Sequence, residues 1–351
     1  MTSTTNFEET CGPATPGGVH ARDQPVLSVR GLTVEFKTAH GWSTAVNNVD
    51  LDIGSDEIFG LVGESGSGKS VTALSLLGLL PPRSSRLNPK SSIKLSGTEL
   101  AGLGNRSLDR IRGARVGMIF QEPMSSLNPA YTIGDQIGEA VRRHRRTGRK
   151  ASRARAVEML ELVGIPNATR NVDQYPHHFS GGMRQRAMIA MALACEPELL
   201  IADEPTTALD VTVQATILDL LAELQRSRQM SVLLITHDLS VIGEVADRVG
   251  VMYAGELVEM GGTEPLFATP AHPYTSGLLG SVLRLDDDSP LTAIPGSVPA
   301  IGEELAGCRF APRCVHRQSE CVEMPIPLVE AGSQQSRCIR TLELSLTGLP
   351  E

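Results

Sequence analysis

The stretch GESGSGKS at residues 63–70 has the residue types and the spacing of a phosphate-binding loop. An apolar segment, EIFGLVG, leads into it and a helix-prone segment follows it, which is the strand–loop–helix context that such a loop requires. The glycines let successive backbone N–H groups face phosphate oxygens, while the lysine places a positive charge beside the β- and γ-phosphates and the last serine ligates Mg²⁺. The predicted nucleotide-binding residues are Gly63, Glu64, Ser65, Gly66, Ser67, Gly68, Lys69 and Ser70.

Two acidic residues follow a second apolar segment in LLIADEP. Asp203 comes after four apolar residues, so it is predicted to lie at the carboxyl edge of a sheet, where it would hold Mg²⁺ together with Ser70. Because side chains alternate along a strand, Glu204 is expected to point away from Asp203 and to act as general base on an attacking water. Together with the loop, these residues predict a magnesium-dependent ATPase.

A second glycine-rich helix start, SGGMRQ, lies at residues 180–185. It contains no lysine, so it lacks the charge that would hold a triphosphate on its own. Its hydroxyl, its bare backbone N–H groups and the dipole of the following helix suit the γ-phosphate of a nucleotide that is already bound elsewhere. The predicted phosphate-contacting residues of this second start are Ser180, Gly181, Gly182 and Gln185.

The segments that carry these motifs alternate between strand and helix patterns, which predicts an α/β fold with a mainly parallel sheet. Two alternating segments within residues 26–53 predict antiparallel strands, and the helix after the phosphate loop is expected to continue to Pro81. A helical insertion is predicted for about 121–195. The predicted division of the chain is a disordered extension at 1–25, a nucleotide-binding domain at 26–283 and a small cysteine-rich domain at 284–345.

Composition argues against several classes of protein. The chain has 351 residues and a formal net charge of −8, which does not suit a surface that binds duplex nucleic acid. It contains no apolar run near the roughly 18–20 residues that span a bilayer, and its N-terminus lacks the regions of a secretory signal. The arginine-rich stretch at 142–155 has no interleaved aromatic residues, which favours a solvated helical face over a nucleic-acid site. We therefore expect a cytoplasmic protein that reaches a membrane only through partner subunits.

Taken in order, the motifs resemble those of ABC-type ATPases. Gln121 in MIFQEP is similar to the Q-loop of that family, Asp210 ends a segment, TTALD, that resembles the D-loop, and His237 in ITHD resembles the switch histidine. The resemblance implies a P-loop NTPase α/β core with an antiparallel β-subdomain and a helical subdomain. It also implies that two subunits pack head to tail, with ATP between the phosphate loop of one subunit and the SGG helix of the other.

The same resemblance implies roles for individual residues. Glu204 would act in catalysis with Gln121, which would sense Mg²⁺ and the lytic water, and with His237, which would hold the γ-phosphate. The SGGMRQ segment would act on the nucleotide of the partner, and Asp210 would contact the partner across the dimer. An aromatic side chain of the first strands stacks on adenine in this family, and three candidates stay open here: Phe36, His40 and Trp42.

A finer resemblance is to the ATP-binding subunits of dipeptide and oligopeptide ABC importers, and to the D-type member of their usual D/F pair. It is carried by QEPMSSLNP, by the region around SGGM, by HPYTSGLL, and by IPGSVP and GCRFAPRC further on. It implies a subunit at the cytoplasmic face of the cell membrane, with an F-type ATPase as partner in a heterodimer, two transmembrane permease subunits and an external peptide-binding protein. The permeases are expected to dock near MSSLNP, and an identical ATPase partner is the alternative to the F-type subunit.

Two other functions stay open at this point. The ATPase motifs do not distinguish a peptide importer from an importer of nickel or glutathione, because specificity lies in the external binding protein and in the membrane pore. A soluble regulator or nucleic-acid-associated ABC protein is the other alternative. Such proteins usually join two cassettes or carry coiled coils, whereas this chain has one set of motifs and no long heptads.

Four of the six cysteines are clustered near the C-terminus, and in a reducing cytoplasm such clustering indicates metal ligation more than disulfides. Four thiolates suit a tetrahedral zinc ion or a [4Fe–4S] cluster. The spacing is looser than that of the usual C-x2-C zinc pairs, and the importer resemblance favours a structural iron–sulfur cluster, with zinc and unmetallated thiols as alternatives. The candidate ligands are Cys308, Cys314, Cys321 and Cys338.

Overall fold

The computed structural model describes residues 24–39, 41–121, 126–206, 210–281, 293–303 and 305–348. Most of the extension predicted for residues 1–25 lies outside this part of the chain, as do residues 282–292, where the linker to the cysteine-rich region was expected to begin.

Five strands form an antiparallel sheet in the N-terminal part of the chain. They are β1 (Leu27–Thr38), β2 (Gly41–Ile53), β4 (Ser85–Leu87), β5 (Ser92–Leu95) and β6 (Thr98–Glu99). β1 pairs with β2 along one edge and with β4 and β5 along the other. The antiparallel pairing predicted for the first two strands is confirmed.

Eight strands form the central sheet, in the order β12-β13-β11-β10-β3-β9-β8-β7. Their bounds are β3 (Ile58–Val62), β7 (Val116–Ile119), β8 (Leu199–Asp203), β9 (Ser231–Ile235), β10 (Arg248–Tyr253), β11 (Glu256–Gly262), β12 (Val329–Ala331) and β13 (Gln334–Ser336). The five strands from β10 to β7 are parallel, and the remaining three pair antiparallel at one edge. The carboxyl ends of β3, β9, β8 and β7 therefore meet along one edge of the sheet.

Alternating side chains bury both faces of the central sheet. In β8, Leu199 and Ile201 pack into a core shared with the antiparallel sheet, whereas Leu200 and Ala202 pack into a second core with the helices. Parallel strands are typically covered on both faces, which explains why these segments read as continuous apolar runs rather than as alternating ones.

The helices lie between and around the two sheets. They are α1 (Lys69–Leu76), α2 (Asn105–Leu108), α3 (Ile133–Arg145), α4 (Arg149–Leu162), α5 (Ala168–Asn171), α6 (Gly181–Leu193), α7 (Val211–Arg228), α8 (Leu239–Val245), α9 (Thr263–Ala268) and α10 (Pro273–Leu279). Four of them, α3 to α6, fall within the stretch for which a helical insertion was predicted, and α4 packs against both α3 and α6. Among the residues described, no helix has the length and apolar character needed to cross a membrane.

Helix α1 is shorter than predicted. It ends at Leu76 rather than at Pro81, because Gly78 adopts a φ of +59° and Leu79 N–H donates to the carbonyl of Leu74 at 2.9 Å. A left-handed glycine just past the last helical residue is a common way to end a helix. The prolines lie beyond a helix that has already stopped.

The cysteine-rich region is not confirmed as a separate domain. Its strands β12 and β13 extend the central sheet, since β13 pairs antiparallel with β11 through Glu259 and Ser336. Phe310 lies 5.2 Å from Tyr253 and 5.3 Å from Tyr274 between ring centroids, so it packs into the core with the helices. Sheet pairing and a shared core make this region part of the cassette.

Candidate nucleotide site

The phosphate loop connects β3 to α1, and its glycines are required by its shape. Gly63 has a φ of +150°, and a Cβ atom there would lie 2.1 Å from the carbonyl oxygen of Met252. Gly68, with a φ of +102°, caps the N-terminus of α1. The first N–H groups of a helix have no intrahelical acceptor, so the loop presents them, with the partial positive charge of the helix, to a bound phosphate.

Lys69 is held inside the loop. Its Nζ donates to the carbonyl of Gly63 at 2.7 Å and to that of Glu64 at 3.1 Å, and the residue is buried. Burial lowers the pKa of Lys69, whereas the negative charges of Glu204, Asp203 and Glu64 act in the opposite direction. The ammonium group is therefore fixed at the position where the phosphates of a nucleotide need a positive charge.

The two side chains that were predicted to bind Mg²⁺, Ser70 and Asp203, lie side by side at this edge. Ser70 Oγ donates to Asp203 Oδ1 at 3.0 Å, and burial raises the pKa of Asp203. Among the residues described, no three His, Cys, Asp or Glu side chains form a group that could hold a metal ion. Mg²⁺ is commonly bound by one or two protein oxygens together with water and substrate phosphates, so Ser70 and Asp203 fit a magnesium ion that arrives with a nucleotide.

Glu204 does not continue strand β8. It has a φ of +48°, and its N–H donates to the carbonyl of Ile235 at 2.9 Å, which holds a left-handed turn directly after Asp203. The expectation that strand alternation orients Glu204 is therefore wrong, because the strand has already ended. The turn brings Glu204 Oε2 to 2.8 Å from Gln121 Nε2, which donates to it, and Glu204 Oε1 to 3.5 Å from His237 Nδ1.

The carboxyl ends of four parallel strands thus bring the predicted catalytic residues together. Gln121 follows β7, Glu204 follows β8, His237 follows β9, and the phosphate loop follows β3. The side chain of His237 is 61% exposed, whereas that of Glu204 is 14% exposed. A base that is mostly shielded, beside an open histidine and an amide donor, can orient and deprotonate a water molecule.

The second glycine-rich start is organised locally. Ser180 caps α6, with its Oγ accepting from Met183 N–H at 3.3 Å, and Ser180 and Gly181 are exposed. Gln185 differs from the expectation: it is 1% exposed, and its Nε2 donates to the carbonyl of Pro205, just after Glu204. Gln185 therefore ties α6 to the segment after β8, and its amide does not face outward.

Other predicted residues have their own local partners. Asp210 caps α7, with Oδ1 accepting from Val213 N–H at 2.9 Å. Trp42 is partly exposed, and the guanidinium of Arg86 lies 4.4 Å from its ring centre. His40, residues 124–125 of the MSSLNP segment and residues 207–209 of the TTALD segment lie outside the part of the chain that the structure describes.

The four clustered cysteines line one small cavity. Burial raises the pKa of Cys308 to about 12 and also raises the pKa values of Cys314 and Cys338. All four are free thiols, and Cys308 N–H donates to the carbonyl of Cys321 at 2.7 Å. The apolar surroundings disfavour isolated thiolates, so a cation or a metal cluster would have to compensate their charge.

Sequence reasoning missed two residues that contact the phosphate loop. Tyr274 Oη accepts from Glu64 N–H at 2.9 Å, and Arg313 donates to both carboxylate oxygens of Glu64 at 2.6 and 3.0 Å. Both lie in segments, HPYTSGLL and GCRFAPRC, whose resemblance to the importers was noted without a role for these side chains. The signal available in the sequence was an acidic residue inside a loop that binds anions.

Comparison with known proteins gives matches over most of the chain. The ABC transporter family matches residues 46–207, and the family of the oligopeptide/dipeptide transporter C-terminal region matches residues 258–321. The dipeptide transport ATP-binding protein DppD of Bacillus subtilis is 52% identical over 317 residues, which cover 90% of this chain and 94% of DppD. A Brucella melitensis protein named as a peptide import ATP-binding protein is 50% identical over 335 residues, covering 92% of this chain and 99% of the relative.

Solved structures agree with the fold. An ATP-binding cassette solved as a dimer in a post-hydrolysis state, bound to ADP and phosphate, aligns with a TM-score of 0.60 and 27% identity, covering 68% of this chain and 98% of that one. The protein cbiO1 from Clostridium perfringens, part of the ABC transporter complex cbiONQ, aligns with a TM-score of 0.59 and 25% identity over 70% of this chain and 91% of that one.

Proposed function

This chain belongs to the ABC transporter family, and we propose that its two glycine-rich helix starts serve two different ATP molecules. The chain is an ATP-binding and ATP-hydrolysing subunit that energises a dipeptide or oligopeptide importer. The observation that carries the residue roles is the meeting of Gln121, Glu204 and His237 beside the Ser70–Asp203 pair.

In the proposed reaction, the phosphate loop binds ATP through its N–H groups and Lys69. A water oxygen bonds to the γ-phosphorus, the bond from that phosphorus to the β–γ bridging oxygen breaks, and Glu204 accepts the proton of the water. Gln121 orients this water, and His237 holds the γ-phosphate. Mg²⁺, held by Ser70 and Asp203 with Gln121 beside it, would neutralise charge on the phosphates when bound.

The partner assignments rest on the exposed second start. Ser180, Gly181 and Gly182 would contact the γ-phosphate of ATP bound to the phosphate loop of a second ATPase subunit, and Asp210 would lie at the same interface. We propose an F-type subunit as this partner, two membrane permeases that dock near MSSLNP, and an external peptide-binding protein. In this assembly the chain would lie on the cytoplasmic face of the membrane.

The transport assignment is tested on the whole complex. The chain is co-expressed with two candidate permease subunits and a candidate F-type ATPase subunit, purified, and reconstituted into lipid vesicles with a peptide-binding protein inside. Di- and oligopeptides should stimulate ATP hydrolysis, and a Glu204→Gln complex should remain assembled without stimulation. Stimulation by nickel or glutathione but not by peptides would replace the substrate assignment, and failure to co-purify with permeases would contradict an importer.

A [4Fe–4S] cluster is the metal group that we propose for the four cysteines. They line one cavity, although the residues described contain no group of His, Cys, Asp or Glu side chains that could hold a metal ion. In such a cluster each thiolate binds a different iron atom, so the sulfurs need not converge on one ion as they do around zinc. Protein purified without oxygen should contain iron and sulfide that Cys308→Ser loses, whereas one equivalent of zinc would refute the cluster.

A further inference from the structure

The phosphate loop is held by residues that lie more than 200 positions further along the chain. Arg313 Nη1 and Nη2 donate to the two carboxylate oxygens of Glu64 at 2.6 and 3.0 Å, across 249 positions of sequence. Tyr274 Oη accepts from the N–H of the same Glu64 at 2.9 Å, across 210 positions. Both the side chain and the backbone of one loop residue are therefore fixed from the C-terminal part of the chain.

Arg313 is rigidly placed for this contact. Its side chain is 5% exposed, its Nε donates to the carbonyl of Pro295 at 2.7 Å, and Nη1 also lies 3.3 Å from Tyr253 Oη. A planar guanidinium that binds a carboxylate through two parallel hydrogen bonds fixes the orientation of both groups. In sequence, the residue lies between Cys308 and Cys314.

Tyr274 is equally well supported. The residue is fully buried, its ring centre lies 4.6 Å from that of Tyr253, and its N–H donates to His272 Nδ1 at 3.1 Å. Glu259 on β11 accepts from the N–H groups of Ala271 and His272 at 2.6 and 2.9 Å. The start of α10, and with it the hydroxyl that meets the loop, is thereby attached to the central sheet.

The charge of Glu64 makes this arrangement relevant to nucleotide binding. Its carboxylate acts electrostatically on Lys69, the residue that would hold the β- and γ-phosphates. Left without a cation, this carboxylate would compete with phosphate for Lys69 and repel a triphosphate. The guanidinium of Arg313 neutralises the carboxylate of Glu64. The side chain of Glu64 is 29% exposed, so solvent screens its charge only partly.

We propose that Arg313 and Tyr274 are positioning residues for ATP: through Glu64 they hold the phosphate loop and cancel its one negative charge. The inference deepens the proposed ATPase function and rests on it. It means that the C-terminal region, which contributes no predicted catalytic group, sets the affinity of the cassette for nucleotide.

The test measures ATP affinity of the full-length chain by calorimetry, with four variants. Arg313→Ala should weaken ATP binding by about tenfold or more, within the range typical of coupling between two sites. Adding Glu64→Gln to Arg313→Ala should restore most of the affinity, because the uncompensated carboxylate is then gone. Arg313→Lys keeps the charge without the paired hydrogen bonds and should lie between wild type and Arg313→Ala. Tyr274→Phe, which removes only the acceptor for Glu64 N–H, should weaken binding less than Arg313→Ala.

Arg337→Ala is the matched control. Arg337 belongs to the same region and donates to the carbonyls of Leu257 and Ile326 at 2.9 and 2.8 Å, but it does not contact the loop. It should lower the thermal midpoint while leaving ATP affinity unchanged.

Wild-type affinity in Arg313→Ala would overturn the inference, and so would equal weakening with and without Glu64→Gln. If Arg313→Ala does not fold, wild-type affinity in Arg313→Lys would overturn it. Absence of ATP binding by the wild-type chain would instead contradict the proposed function.

Discussion

The two glycine-rich helix starts of this chain are built in opposite ways. The phosphate loop at residues 63–70 depends on distant parts of the fold: the backbone of Met252 packs against Gly63, and Arg313 binds Glu64. The start at residues 180–185 depends less on such contacts, since Ser180 caps its own helix and neither of its glycines has a positive φ, although Gln185 donates to the carbonyl of Pro205. Both sequences place glycines at the start of a helix, yet only those of the phosphate loop have a positive φ.

This difference shows what each glycine is for. In the phosphate loop the glycines permit backbone conformations and close approaches that other residues would prevent. In SGGMRQ they leave the backbone of an exposed helix end accessible, as expected for a surface that meets another molecule. The phosphate loop has long-range support, whereas the second start is an exposed helix end, which suits the half of a shared site that we propose for it.

The largest expected effect is on the phosphate-loop side. Glu204→Gln should lower ATP turnover by about 10²–10⁴-fold, the usual contribution of general acid–base catalysis, because the amide cannot accept the proton of the attacking water. Steady-state hydrolysis by the assembled ATPase pair measures it. ATP affinity should stay within about twofold of wild type, since Lys69 and the loop are untouched, and retained turnover would remove Glu204 from the mechanism.

A matched pair of glycine substitutions tests directly whether the glycines of the two helix starts have different roles. Gly63→Ala forces a Cβ atom to 2.1 Å from a backbone oxygen at a φ of +150°, whereas Gly182→Ala meets the side chain of Val213 at 3.0 Å without a positive φ. We expect Gly63→Ala to cost about 3 kcal/mol of stability and to abolish ATP binding, since backbone strain cannot relax easily.

Gly182→Ala should lower stability by less than Gly63→Ala, because a valine methyl can move. It should leave ATP affinity of the isolated chain intact and reduce turnover only in the dimer. Urea unfolding and ATP titration of both variants measure these effects, and similar behaviour of the two variants would remove the distinction between the starts.

The free energy of unfolding should also depend on pH through Glu259, which supports the helix that contacts the phosphate loop. Burial raises the pKa of Glu259 from 4.5 to about 7, so the folded protein holds a proton that the unfolded chain releases. The free energy of unfolding should therefore fall as pH rises from about 4.5 to 7, by up to about 3 kcal/mol from this group.

The check is urea unfolding at pH 5 and pH 8. Glu259→Gln should remove this fall and leave the opposite contribution of His272, whose pKa burial lowers to about 3, so that stability then rises with pH up to about 6.5. Glu323→Gln, at an exposed position, should keep the wild-type difference. An unchanged pH dependence in Glu259→Gln would assign the proton to another group.

The smallest expected effect on stability is at the second glycine-rich start, residues 180–185. Ser180→Ala removes the cap of α6 and should cost about 1 kcal/mol of stability, while the dimer also loses turnover because the hydroxyl no longer meets the partner's nucleotide. Thr132→Ala is the control, since Thr132 caps α3 in the same way, with Oγ1 accepting from Asp135 N–H at 3.1 Å. The two variants should unfold alike in thermal scans, and only Ser180→Ala should slow hydrolysis; equal turnover would leave Ser180 as a cap alone.

Local patterns were enough to predict much of the fold. The apolar runs of β3, β8 and β9 and the glycine spacing of the loop depend on near neighbours in sequence, so the strands and the phosphate site could be predicted from them. The meeting of Gln121, Glu204 and His237 also follows from topology, because all three come directly after parallel strands.

The remaining features depend on contacts that sequence spacing does not encode. Glu204 reaches the site because a left-handed turn ends β8 at Asp203. Alternation of side chains along a continuing strand does not predict this turn. Gln185 is buried against Pro205 because α6 packs beside the end of β8. The pair formed by Arg313 and Glu64 joins positions 249 residues apart, and no local pattern indicates such a partner.

Arg313 contacts Glu64 across 249 positions of sequence, and this separation has a consequence for synthesis on the ribosome. The phosphate loop emerges first, and the arginine that contacts it and the strand that covers the edge of β11 are made more than 200 positions later. Contacts between distant positions form late, since a long loop must close first. A chain that terminates before residue 313 would thus carry the sequence motifs for ATP but an unpaired Glu64 and an open sheet edge, and under the proposal for Arg313 it would bind nucleotide less tightly.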